Sequence, residues 1–168
     1  MERSKVYDLA LMGVLTALLF MGQVIMSFLP NIEIISLLIL LYTIFFGRKV
    51  FWMIYCFVFL EGFLYGFGMW FFNYLYVWTV LALACMPLRN NRSAVFWSIV
   101  SGFFGLSFGT LCTLPYLLTG GPAAAFSYWV SGLGFDITHC IGNVALCLVL
   151  FKPLYCLLEK IIKIKALS

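Results

Sequence analysis

The chain has 168 residues, of which 65% are apolar, 19% aromatic and only 10% charged, and it carries a net charge of +4. Soluble domains carry about 25% charged residues, and a body of this size cannot hide so much apolar surface from water. The composition excludes a nucleic-acid binder, a disulfide-stapled secreted module and a disordered tail, and it makes lipid the solvent.

At about 20 residues per crossing, the length holds six or seven membrane helices and leaves no room for a soluble domain. The first apolar span covers 6–29, after Arg3 and Lys5, and stops at Pro30-Asn31. It is too long for the apolar core of a signal peptide and no small-residue cleavage site follows, so it reads as a retained span. The second covers 34–46 and ends at Gly47-Arg48-Lys49; the third covers 50–67. The fourth covers 70–86 and stops at the polar stretch from Pro87 to Arg92. The fifth covers 94–118, up to the breaker Thr119-Gly120-Gly121-Pro122, and the sixth covers 127–151 before a short basic helix from Lys152 to Lys165. The runs are too long and too uniformly apolar for the alternation of a membrane barrel. The expected fold is an all-α membrane protein, one bundle of six transmembrane helices spanning 1–168.

All ten basic residues fall on one side of this plan. Arg3 and Lys5 precede span 1, Arg48 and Lys49 join spans 2 and 3, Arg89 and Arg92 join spans 4 and 5, and Lys152, Lys160, Lys163 and Lys165 follow span 6. The other three connections carry no Lys or Arg, so the positive-inside rule puts both termini in the cytoplasm. The positive charge records topology rather than a nucleic-acid partner. The six cysteines include no CxxC pair and read as small apolar packing residues.

A carboxylate near the bilayer centre costs at least about 2.5 to 3.5 kcal/mol, so each one needs a partner or a purpose. Glu61 lies about 16 Å into span 3, near the midplane. Asp136 and His139 lie at comparable depth in span 6, with Asn143 one turn deeper and Glu33 at the external start of span 2. Asp136, His139 and Asn143 fall within about 60° of one another on a helix, a polar face that Trp129, Gly132 and Cys147 extend. Two readings stand. A buried network would tie helix to helix, with Asp136 paired to His139; a ligand pocket would use the same groups beside the aromatic segment from Trp70 to Trp78. In the pocket reading Asn73, Tyr76 and Trp78 run inward with the polar set, Trp78 and Tyr76 stack on a ring, and Glu33 is a rim residue.

Gly105-Leu106-Ser107-Phe108-Gly109 matches G-x-S-x-G, and Asp136 and His139 would complete a triad on paper. The motif needs a strand-turn-helix elbow, whereas this stretch lies within an apolar helix. No ligand pair has metal-motif spacing and no phosphate-cradling G-x-x-x-x-G-K-[ST] occurs. No catalysis, cofactor or resident metal is expected, and a pump would need another subunit for its energy. In span 1, Ala10, Gly13 and Ala17 form a small-residue strip, with Thr16 beside it, that lets another helix approach closely.

Six spans, cytoplasmic ends, small size, the Gly13-x-x-x-Ala17 pair, the stretch from Phe135 to Asn143 and the segment from Asn73 to Trp78 together resemble the substrate-binding S component of an energy-coupling factor (ECF) vitamin transporter. The resemblance covers essentially the whole chain, although that family's span-1 motif is Ala-x-x-x-Ala. It implies a multi-pass protein of a bacterial plasma membrane that binds a vitamin or related micronutrient. It implies docking, through Ala10, Gly13 and Ala17, on a transmembrane coupling protein driven by two ATPase subunits. It also implies a ligand in the external half, walled by spans 4 to 6 and closed by the first external loop. Trp and Tyr suit a heteroaromatic ring, and Glu61 and Asp136 suit donors or a positive centre, which fits a thiamine-like, pyridoxine-like or cobalamin-like compound. The alternative from another class is a structural or assembly membrane protein whose polar core only holds helices together.

Overall fold

Uniformly apolar runs leave the backbone to satisfy its own hydrogen bonds, and in lipid the helix does this within one segment. The computed structural model describes residues 2–167, with side chains from 6 to 163, and the described residues are helical with no strand. The side chains of Arg3, Lys5 and Lys165, counted in the topology reading, lie outside the described residues. The helices are α1 (Glu2–Met26), α2 (Ile35–Phe46), α3 (Val50–Tyr65), α4 (Met69–Cys85), α5 (Ala94–Cys112) and α6 (Leu114–Leu167). Five helical stretches are long and apolar enough to cross a membrane: Val6–Met26, Ile35–Tyr65, Met69–Leu88, Ala94–Cys112 and Leu114–Lys163.

The second of these stretches is not straight. Gly47 has φ 54°, a left-handed conformation that a side chain resists, and it opens a short 3-10 turn, Gly47–Lys49, between α2 and α3. The direction of each arm is set by its contacts. Tyr42 of α2 donates from its hydroxyl to the Leu15 carbonyl at 3.1 Å, and Lys49 pairs with Asp8 at 3.0 Å, so α2 runs antiparallel to α1. Past the turn, α3 runs back along α4, whose end brings Arg89 against Gly47: Tyr55 meets the Thr79 hydroxyl at 3.1 Å and Phe59 lies 5.5 Å from Phe71. The chain therefore reverses at Gly47.

α6 also differs from a single rod. Gly121, at φ 75°, is its one non-helical residue, and the Tyr116 and Tyr128 rings, twelve positions apart, stack at 4.1 Å and 18°. Twelve residues of straight helix would separate them by about 18 Å. The chain thus doubles back at Gly121, and Pro122 opens the second arm where a missing N–H is harmless. α5, which leads into the first arm, and the second arm stay in one register. Gly109 meets Asp136, Gly105 meets His139, and Gly102 meets Cys140 and Val144. The expected spans 5 and 6 are this antiparallel pair. The boundaries shift, however: the break expected over 119–126 shrinks to Gly121, a smaller interruption falls at Thr113, and the basic segment after 151 continues the helix through Pro153.

α5 starts where Ser93 accepts a hydrogen bond from the Phe96 amide at 3.3 Å, a side-chain cap for an otherwise orphaned donor. α4 packs against α2 and α3, and α6 against α2 as well as α5. The outer surface is apolar: Val14, Phe63, Phe103, Ile141 and Val149 are all well exposed, while Ser36, Glu61, Asp136, His139 and Asn143 are buried. Polar inside and apolar outside is the arrangement a lipid solvent selects. One end of the bundle gathers basic groups. Lys49 pairs with Asp8 there, Arg89 lies against Gly47, and Arg92 sits 6.0 Å above the Tyr155 ring.

Candidate functional site

A cavity of about 150 Å³ lies at the end of the bundle opposite those basic groups. Its lining comes from the end of α1 and the α1–α2 connection (Gln23 to Glu33) and from Tyr74 and Trp78 of α4, Phe108 of α5 and His139 of α6. Tyr74 and Trp78 are one helical turn apart and share a face. Their rings lie 5.4 Å apart, Trp78 lies 5.7 Å from Phe108, and Phe108 lies 4.9 Å from the His139 imidazole.

Glu33 anchors the polar wall. Its carboxylate accepts from the Ser36 amide at 2.8 Å and from the Ser36 hydroxyl, and it meets His139 Nε2 at 3.0 Å. Asn143 extends the network, donating from Nδ2 to the Ser36 hydroxyl at 3.3 Å and to the Ser101 carbonyl at 3.2 Å. Two buried wall groups have no partner: His139 Nδ1 and Trp78 Nε1. An unpaired buried polar group costs about 1 to 3 kcal/mol.

The structure brings Trp78 and His139 to the cavity wall. It does not bring Glu61, Asn73, Tyr76, Asp136 or Asn143 there. Tyr76 points to α5, donating to the Leu111 carbonyl at 2.8 Å with Asn73 Oδ1 at 2.9 Å. Asp136 Oδ1 accepts from the Gly109 amide at 2.9 Å while Oδ2 is unpartnered. Glu61 is buried with Oε1 unpartnered. The pairing of Asp136 with His139 is replaced by His139 with Glu33, and Glu33 is not a rim group but a buried member of the wall. Sequence reasoning missed Tyr74, although its spacing from Trp78 could have found it. The Ser107 hydroxyl donates to the Phe103 carbonyl of its own helix at 2.9 Å, and no hydrogen bond joins it to Asp136 or His139 among the described residues.

A second feature lies on the outside. Leu9, Met12, Gly13, Thr16 and Ala17 of α1 and Trp52, Tyr55, Cys56, Phe59 and Phe63 of α3 border an apolar groove of about 880 Å³. Ala10, Gly13 and Ala17 are exposed, and a Cβ placed on Gly13 would meet nothing within 4 Å. Among the described residues the small-residue strip is left exposed. Set against protein-family models, curated proteins and solved structures, the chain matches none.

Proposed function

We propose that the protein is the substrate-binding S component of an ECF-type transporter, taking up a vitamin or related micronutrient through a bacterial plasma membrane. The observation that carries the reading is the cavity: a concave, aromatic-walled site with unpartnered polar groups, covered by the α1–α2 connection, at the end away from the basic residues. A purely structural polar core would have no reason to leave such a space. His139, Trp78, Tyr74 and Glu33 contact the ligand. Asn143 holds Ser36 and Glu33 in place, while Asn73, Tyr76 and Asp136 fix α4 and α6 against α5. The open groove on α1 and α3 supports docking on a transmembrane coupling protein that two ATPase subunits drive.

The proposed topology has six crossings with both termini cytoplasmic. Its support is the reversal at Gly47 and at Gly121 together with the grouping of basic residues. At 12 residues α2 rises only about 18 Å, and the α1–α2 connection and the cavity take up the remaining depth. In a chain with its native cysteines replaced, Ser27→Cys and Thr119→Cys should react with an impermeant thiol reagent on intact cells and Asn90→Cys should not. Labelling of Asn90→Cys alone, or of all three, would rule this topology out.

The binding reading is tested by melting the purified chain in detergent against a panel of vitamins. A true ligand raises Tm as RT ln(1 + [L]/Kd) requires. Trp78→Phe and His139→Gln, which keep most of the buried volume, should each weaken its affinity about 5- to 150-fold, beyond any fall in the ligand-free Tm. If no panel member shifts Tm, or if both variants lose affinity only in step with stability, the polar core serves helix packing alone.

A further inference from the structure

The kind of ligand follows from three properties of the cavity taken together, a step that rests on the binding reading above. The first is size. A cavity of about 150 Å³ elsewhere holds one benzene ring, so one six-membered ring with short substituents fills it and a flavin or corrinoid does not. The second is the aromatic wall. Tyr74, Trp78 and Phe108 offer π-faces that favour a flat ring or a cation.

The third property is charge. The Glu33 carboxylate lines the cavity, and its lining holds no Lys or Arg, the described Lys49, Arg89 and Arg92 standing at the other end. His139 Nε2 is already engaged by Glu33 at 3.0 Å. An entering carboxylate or phosphate would lose its water and face a like charge in surroundings that screen poorly.

We infer that the cavity takes a neutral or cationic single-ring heteroaromatic compound, and that it rejects carboxylate- and phosphate-bearing compounds. A corrinoid is thereby removed from the ligand set, and of the two rings of thiamine the cavity has room for one.

The test uses the purified full chain in detergent and follows Tm and tryptophan fluorescence. The single-ring probes are pyridoxine, pyridoxamine and nicotinamide; nicotinate and pyridoxine 5′-phosphate are their anionic counterparts, and riboflavin is the multi-ring probe. At least one single-ring probe should bind, and its anionic counterpart should bind at least about 10-fold more weakly. Glu33→Gln, whose amide oxygen still accepts from Ser36, should narrow that gap; should that variant fail to fold, the comparison on the native chain decides. A preference for nicotinate or pyridoxine 5′-phosphate, or binding of riboflavin, overturns the ligand class while the binding reading stands. A Tm unmoved by every single-ring probe but raised by another vitamin does the same. A Tm unmoved by these probes and by every vitamin overturns both.

Discussion

Gly13→Leu should abolish uptake in cells while the purified chain keeps its melting temperature and its ligand affinity. The separation is geometric. Gly13 faces the open groove between α1 and α3, where an added Cβ meets no atom within 4 Å and a longer side chain has the groove to extend into. A partner helix seated on Ala10, Gly13 and Ala17 would be held off by the leucine, and close backbone approach is what a small-residue strip provides. The cavity begins near Gln23, about 15 Å further along α1, beyond the reach of that change. Uptake should fall more than about 10-fold and Kd should stay within about twofold, with the coupling complex absent from pull-downs. A drop in Tm, or equal losses of binding and uptake, would mean that the strip serves packing within the chain.

The largest loss of stability is expected at Gly105. A Cβ there would lie 2.9 Å from both the carbonyl carbon and the oxygen of His139, and backbone cannot rotate aside as a side chain can. Either α6 moves away from α5 or the seam opens. Gly105→Ala should cost about 1 to 3 kcal/mol and Gly105→Val more. Because the group in the way is His139 itself, ligand binding should fall together with Tm. Gly132→Ala is the control: it lies on α6, the helix of His139, nothing stands within 4 Å of its added Cβ, and its Tm should match the native chain. If Gly105→Val melts like that control, the register described for α5 and α6 is wrong.

How far these features could be read beforehand differs residue by residue. That Asp136, His139 and Asn143 turn inward was legible, because polar groups in an apolar run have only one favourable direction, and their exposures are 4%, 3% and 2%. Their partners were not legible. Helical spacing proposes neighbours on the same helix, whereas the partner of His139 is Glu33, 106 positions away in a connecting segment, and that of Asp136 is a backbone amide on α5. Tyr74 and Tyr76 show the same limit from the other side. A step of two residues turns a helix by about 200°, so only Tyr74 shares the face of Trp78. An aromatic belt hides this distinction, since every position in it is equally apolar. The length of α6 was obscured for a related reason: Pro153 and Pro122 look alike in a sequence, yet one sits within a helix and the other begins an arm.

The turn at Gly121 bears on how the chain enters the bilayer. In the proposed topology the arms before and after it are joined by a single non-helical residue, so neither can settle across the membrane while the other waits in water; they insert as one hairpin. The tip suits this, because the stretch from Thr119 to Phe126 carries no charged side chain to be dragged through the hydrocarbon. Asp136 travels with the second arm, but the Gly109 amide that receives it is already opposite in the hairpin. The carboxylate therefore crosses with a hydrogen-bond donor in place, before the rest of the bundle assembles around it.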